Sequence, residues 1–136
     1  MSERALHYKP LFLRSFLYTR RVRRYTWQML RTAKFQIGQV VRHRVYPFRG
    51  IIFDVDPTFS NSDQWYESIP IDIRPHKDQP FYHLYAENEQ TVYEAYVSEQ
   101  NLLVDDSLVP LRHPSIAVDF IRADTGEYTP VNFQTH

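Results

Sequence analysis

Cysteine is absent from the 136-residue chain. Disulfides and cysteine-ligated zinc are excluded, and nothing in the redox chemistry demands an oxidising compartment. Only three glycines occur, and none belongs to a glycine-rich phosphate loop or a nucleophile elbow. No apolar run approaches the ~20 residues of a membrane-spanning helix. The histidines His43, His76, His83 and His113 lack i, i+4 or cysteine partners, so spacing gives no metal site. Ser60 and Ser98 stand alone, without the company that activates a nucleophile. No catalytic residue and no cofactor is predicted.

The net charge is zero, but it is split. Residues 1–34 hold nine basic residues against Glu3, a net +8. Residues 35–136 hold seven basic and fifteen acidic residues, a net −8. A basic arm precedes an acidic body. The arm mixes Arg20, Arg21, Arg23 and Arg24 with apolar residues and lacks a clean helical face. Its composition is that of a transit peptide or of a disordered extension, and Met29 is an alternative start. The expected divisions are an extension over 1–33, a β-domain over 34–114, and a short helix and tail over 115–136.

From Phe35 the pattern is that of short strands. "FQIGQVVRHRVY" and "RGIIFDV" are rich in β-branched residues and separated by a turn at Pro47–Gly50. "PFYHLYAE" and "TVYEAYVS" form a hairpin across "NEQ", where Asn88 tolerates left-handed geometry. Thr91, Tyr93, Ala95 and Val97 should share one face. The proline-rich stretch 57–80 is a long loop with one helical turn near Asp63–Glu67. "SEQNLL" reads as another short helical turn, and "HPSIAVDFIRA" as a short helix entered at Pro114 and Ser115. "DTGEYTPVNFQTH" carries little pattern. The fold class is mainly β, a small antiparallel barrel.

In "FDVDP", Asp54 and Asp56 share one side of a strand, with Val55 pointing inward alongside Ile51 and Phe53. Pro57 ends the strand, and Asp favours turn entry. The pair is expected to be structural. An acid–base pair would need one carboxylate in a dry pocket, and a calcium loop would need more oxygen ligands. A small hydrolase using Asp54, Asp56 and His83 is a distant alternative.

Taken jointly, "KFQIGQVVRHRVYPFRGIIFDVDP", Trp65, "KDQPFYHLYAE", "AYVSEQNL" and "HP" resemble the HspQ family, also called the YccV-like or hemimethylated-DNA-binding domain. The match runs from Lys34 to about Pro114. It rests on Gly38, Val41, Arg42, His43, Gly50, Asp54, Asp56, Pro57, Trp65, Pro80, Tyr82, His83, Glu87, Tyr96, Glu99 and Leu102. The resemblance implies an SH3-like barrel without enzymatic activity, in a bacterial cytoplasmic heat-stress protein. It implies two kinds of partner: a protease such as Lon with its client proteins, and hemimethylated DNA. No membrane partner is implied, and oligomerisation is permitted.

The DNA reading would use Arg42, His43, Arg44 and Arg49, but it must overcome the acidic body, because phosphate contacts supply most non-specific affinity. The protein-partner reading would use Trp65, Tyr66, Tyr82 and His83 as an aromatic surface. Trp65 has a second reading, as a cap over one end of the barrel.

Overall fold

The computed structural model describes residues 33–131. Residues 1–32 of the basic arm, with the Met29 alternative, and the last five residues lie outside this range. Four strands follow in order: β1 (Val40–His43), β2 (Arg49–Asp56), β3 (Phe81–Glu87) and β4 (Val92–Ser98). Helix α1 (Asp63–Glu67) interrupts the long loop between β2 and β3. A 3-10 turn at Glu99–Asn101 leads into β5 (Leu102–Val104). Helix α2 (Ile116–Asp119) then runs into a small hairpin, β6 (Phe120–Arg122) and β7 (Tyr128–Pro130).

The fold is mainly β. The main sheet is antiparallel with order β4-β3-β2-β1-β5. It curls around its principal core, in which Val41 of β1 and Leu102 of β5 join Ile52, Leu84, Ala95 and Val97. Among the described residues β4 and β5 do not pair. The expected barrel is therefore a rolled sheet that hydrogen bonds do not close.

Local chemistry accounts for the connections. Ser62 caps α1, accepting a hydrogen bond from the Trp65 amide at 3.0 Å, which satisfies one of the orphan donors at a helix start. The hairpin between β3 and β4 turns on Asn88, but not through left-handed backbone. Leu108 is the one non-glycine residue with positive φ among those described. Instead the Asn88 side-chain oxygen accepts from the amides of Gln90 and Thr91 at 2.9 and 2.8 Å, an Asx-type turn. The stretch "HPSIAVDFIRA", expected to be a short helix, is helical only over Ile116–Asp119 and gives Phe120–Arg122 to β6. The described part of the tail without evident pattern supplies the turn at Gly126, φ +97°, and β7.

Strands β2, β3 and β4 are buried on both sides. Tyr93, Ala95 and Val97 share the principal core, as alternation predicts. On the opposite side Ile51, Phe53 and Tyr85 pack under Ile116 and Phe120. A bulge in β2, where the register with β3 shifts between Ile52 and Asp54, separates these sets. Val55 joins the principal core, while Ile51 and Phe53 face the second one. The expectation that Val55 shares a side with Ile51 and Phe53 fails here, because one extra residue in a strand reverses the alternation beyond it.

Gly50 of β2 pairs with Ala86 of β3. A Cβ there would lie 2.5 Å from the Tyr85 carbonyl oxygen, a contact no side-chain motion can relieve. Gly50→Ala should therefore cost about 1–3 kcal/mol through overpacking. Urea melts of the two proteins check this, and equal midpoints would show that β2 and β3 can part at no cost.

Candidate functional site

Two constellations collect the residues singled out by sequence. The first lies inside. Asp54 and Asp56 are each 1% exposed and His83 is 3% exposed. His83 pairs with Asp54 across β2 and β3 and with Tyr96 across β3 and β4. Its Nε2 shares a hydrogen bond with Asp56 Oδ2 at 3.2 Å. The Tyr96 hydroxyl donates to the same oxygen at 2.6 Å and accepts from the Ser60 amide at 2.9 Å. Asp54 Oδ1 accepts from the Val55 amide at 2.9 Å.

The carboxylates do share a side, but it is the interior, not the strand's solvent edge. The bulge at Phe53 turns both inward beside His83. Ligand atoms of Asp54, Asp56 and His83 lie within 4.8 Å of one another and could hold a metal ion. Histidine spacing along the chain did not predict this grouping, because its members come from two strands. Asp56 Oδ2 already accepts from an imidazole and a phenol. These are the bonds a buried carboxylate needs to offset its desolvation, so the group reads as a structural polar network.

The second constellation is open. A cleft of about 560 Å³ lies beside the β1–β2 turn, lined by Arg42, Arg44 and Arg49, with Glu87, Asp105 and Arg112 among its other walls. Arg42, Arg49 and Glu87 are successive cross-strand partners on β1, β2 and β3. Arg49 is not available as a free cation. Its guanidinium lies 3.4 Å from Glu87 and 3.6 Å from Asp105, and donates to the carbonyls of Val109 and Pro110 at 2.7 and 3.1 Å. Burial alone would raise the Asp105 carboxyl. Hydrogen bonds from the Ser107 hydroxyl and amide, with Arg49 alongside, outweigh burial and hold it below the usual carboxylate range. Arg112 lies 3.4 Å from Glu87.

Arg42 and Arg44 are exposed at the cleft mouth. His43 lies between them in sequence but is 5% exposed. Its Nδ1 accepts from the amides of Val45 and Tyr46 at 3.0 Å each, shaping the turn. Of the four residues proposed for DNA, two thus face solvent, one clamps the cleft and one is interior. The cleft itself could not be read from sequence, since its acidic wall comes from segments 40 to 60 residues away.

The proposed aromatic surface divides as well. Trp65 and Tyr66 are half-buried on α1. Trp65 stacks on Phe59 at 5.7 Å and meets Tyr96 edge-on at 5.4 Å, so it does cover one end of the rolled sheet. Tyr66 donates to the Pro75 carbonyl at 2.6 Å, and its ring faces Lys77 Nζ at 4.6 Å. His83 and Tyr82 are interior, the latter 0% exposed, so neither is a contact residue. The Tyr82 hydroxyl donates to Glu99 Oε2 at 2.7 Å and accepts from the Phe35 amide at 3.1 Å. The same Glu99 oxygen accepts from the Lys34 amide at 2.7 Å. Tyr82 thereby ties the start of the described chain to the 3-10 turn.

Residues 33–127 match the family described as hemimethylated DNA-binding protein YccV like. The chain belongs to the YccV-like family. Among curated relatives of this YccV-like domain, F-box only protein 21 of Mus musculus is 27% identical over 97 residues, covering 71% of this chain and 15% of that protein. F-box only protein 21 of Homo sapiens is 26% identical over the same coverage. The chain therefore spans about 15% of the length of these relatives. No solved structure matches it. The family region includes Ile116 and Phe120, which cover the second side of the sheet.

Burial, then the bond to Glu99, push the Tyr82 phenol well above its usual range. The folded chain keeps a proton that the unfolded chain loses above about pH 10. This contribution is complete below that pH and is lost as pH rises beyond it. Tyr82→Phe should cost about 1–3 kcal/mol at neutral pH and lose stability less steeply above about pH 10. Urea midpoints measured from neutral to alkaline pH test this. Parallel curves for the two proteins would remove Tyr82 from the account.

Proposed function

We propose that this YccV-like domain is a non-enzymatic binding module that recognises protein partners and changes which clients a Lon-type protease degrades. The cytoplasm is the compartment this reading requires. The observation that carries it is the exposed loop around α1. There Trp65 and Tyr66 are half-buried, and Ile71 is 80% exposed. Aromatic anchors of this kind concentrate interface energy. The charge supports the same reading. Residues 33–131 hold eight basic and fifteen acidic residues, a field that opposes general attraction to nucleic acid.

Hemimethylated DNA is the second reading, favoured by the family's description and by exposed Arg42 and Arg44. Reading one adenine methyl adds about 0.8 kcal/mol, a factor of about four. Any methylation preference from that contact alone is modest, and binding would weaken steeply with salt.

The test is the degradation rate of denatured clients by purified Lon, with and without the whole chain. The chain should accelerate degradation of selected clients. Trp65→Ala, with its fold verified by circular dichroism, should lose that effect. A client panel whose rates are all unchanged by the wild-type chain would overturn the adaptor role. An intact effect in Trp65→Ala would move the contact away from α1.

A further inference from the structure

The open cleft beside the β1–β2 turn has no part in the α1 contact, and its charge is laid out asymmetrically. Arg49 at its floor is held by Glu87 and Asp105. The Arg42 side chain has no hydrogen-bond or ion-pair partner among the described residues, and the Arg44 guanidinium donates to Asn101 Oδ1, a neutral acceptor, at 3.1 Å. Uncompensated positive charge is therefore gathered at one wall. The opposite wall, on the β3–β4 turn two strands away, carries exposed Glu89 beside Arg112, whose charge is compensated by Glu87, roughly 10 Å off by the spacing of strands.

Apolar surface adjoins the arginines. Val45 follows Arg44 and is 54% exposed, and Phe48 and Tyr46 form part of the lining. The volume of about 560 Å³ lies within the usual range of ligand sites. A long polyanion crossing this cleft would meet the Arg42 wall and then Glu89, so attraction at one side is opposed at the other. A short segment with one or two carboxylates meets only the arginines. The cleft is not isolated from the aromatic surface, because His43 and Tyr46 line both it and a small hollow against Trp65.

We propose that this cleft binds a short acidic segment of a protein partner, its carboxylates on Arg42 and Arg44 and a neighbouring apolar side chain against Val45. The proposal deepens the protein-partner reading by giving the chemistry of the recognised element. It does not depend on which protease is served.

The probe is a fluorescein-labelled decapeptide with two glutamates flanked by leucines, compared with its glutamine counterpart by anisotropy against the whole chain. The acidic peptide should bind more tightly by roughly tenfold or more, the size of one charge-assisted contact. Arg42→Glu and Arg44→Glu, both exposed and so compatible with folding, should each abolish that difference. Equal binding of the two peptides, or an acidic preference that survives both arginine variants, overturns the proposal. So does a duplex that binds through these arginines while the peptide does not bind. Loss of the peptide preference with client degradation intact would sink this inference alone, whereas a retained preference without any effect on degradation would sink only the adaptor role.

Discussion

The hairpin of β3 and β4 has no solvent face. All seven residues of β3 and six of the seven in β4 are buried, although an antiparallel sheet in a small domain usually leaves one face wet. Everything else in the architecture answers this constraint. The sheet must roll to enclose one face, and two separate stretches must cover the other. Phe59 and Trp65 from the long loop cover one end, over Phe81 and Tyr96. Ile116 and Phe120 from the C-terminal segment cover the other, over Tyr85 and Phe53.

A doubly buried hairpin that contains His83, Glu94 and Ser98 must also find partners for polar groups. The bulge at Phe53 serves this need. It swings Asp54 and Asp56 to the side of His83 and Tyr96, so Asp56, His83 and Tyr96 bond across three strands inside the fold, with Asp54 beside them on the Val55 amide. The same arrangement that resembles a catalytic or metal constellation is what lets the sheet be buried. Accessible chemistry is thereby displaced to the rim, to the arginine cleft and the aromatic loop.

Short-range signals made much of this legible in the sequence. The capped turn at Asp63–Glu67, the Asn88 hairpin and the alternation of β4 each follow from residues a few positions apart. The bulge was not legible, because "IIFDVD" reads equally well as an uninterrupted strand and only its register with β3 displays the extra residue. The cover supplied by 111–130 escaped for a similar reason. Three-residue strands leave no periodic trace, and their apolar residues are isolated in sequence. The site residues divided along the same line. The arginines could be read as a basic strand face, but the clamping of Arg49 by Glu87 and Asp105 depends on contacts 38 and 56 positions away. Tyr82 and His83, candidate contacts in the protein-partner reading, are interior, because aromatic and histidine residues in a strand give no sign of which sheet faces are covered.

The central claim is that binding takes place on the rim while the Asp54–Asp56–His83–Tyr96 network stays closed. Amide and side-chain NMR shift mapping of the whole chain, during titration with a denatured client protein, tests it most directly. The account predicts that shifts concentrate at Arg42–Tyr46 and Trp65–Ile71, with His83 and Tyr96 unmoved. Shifts centred on Asp54, Asp56 and His83, with the rim silent, would contradict it.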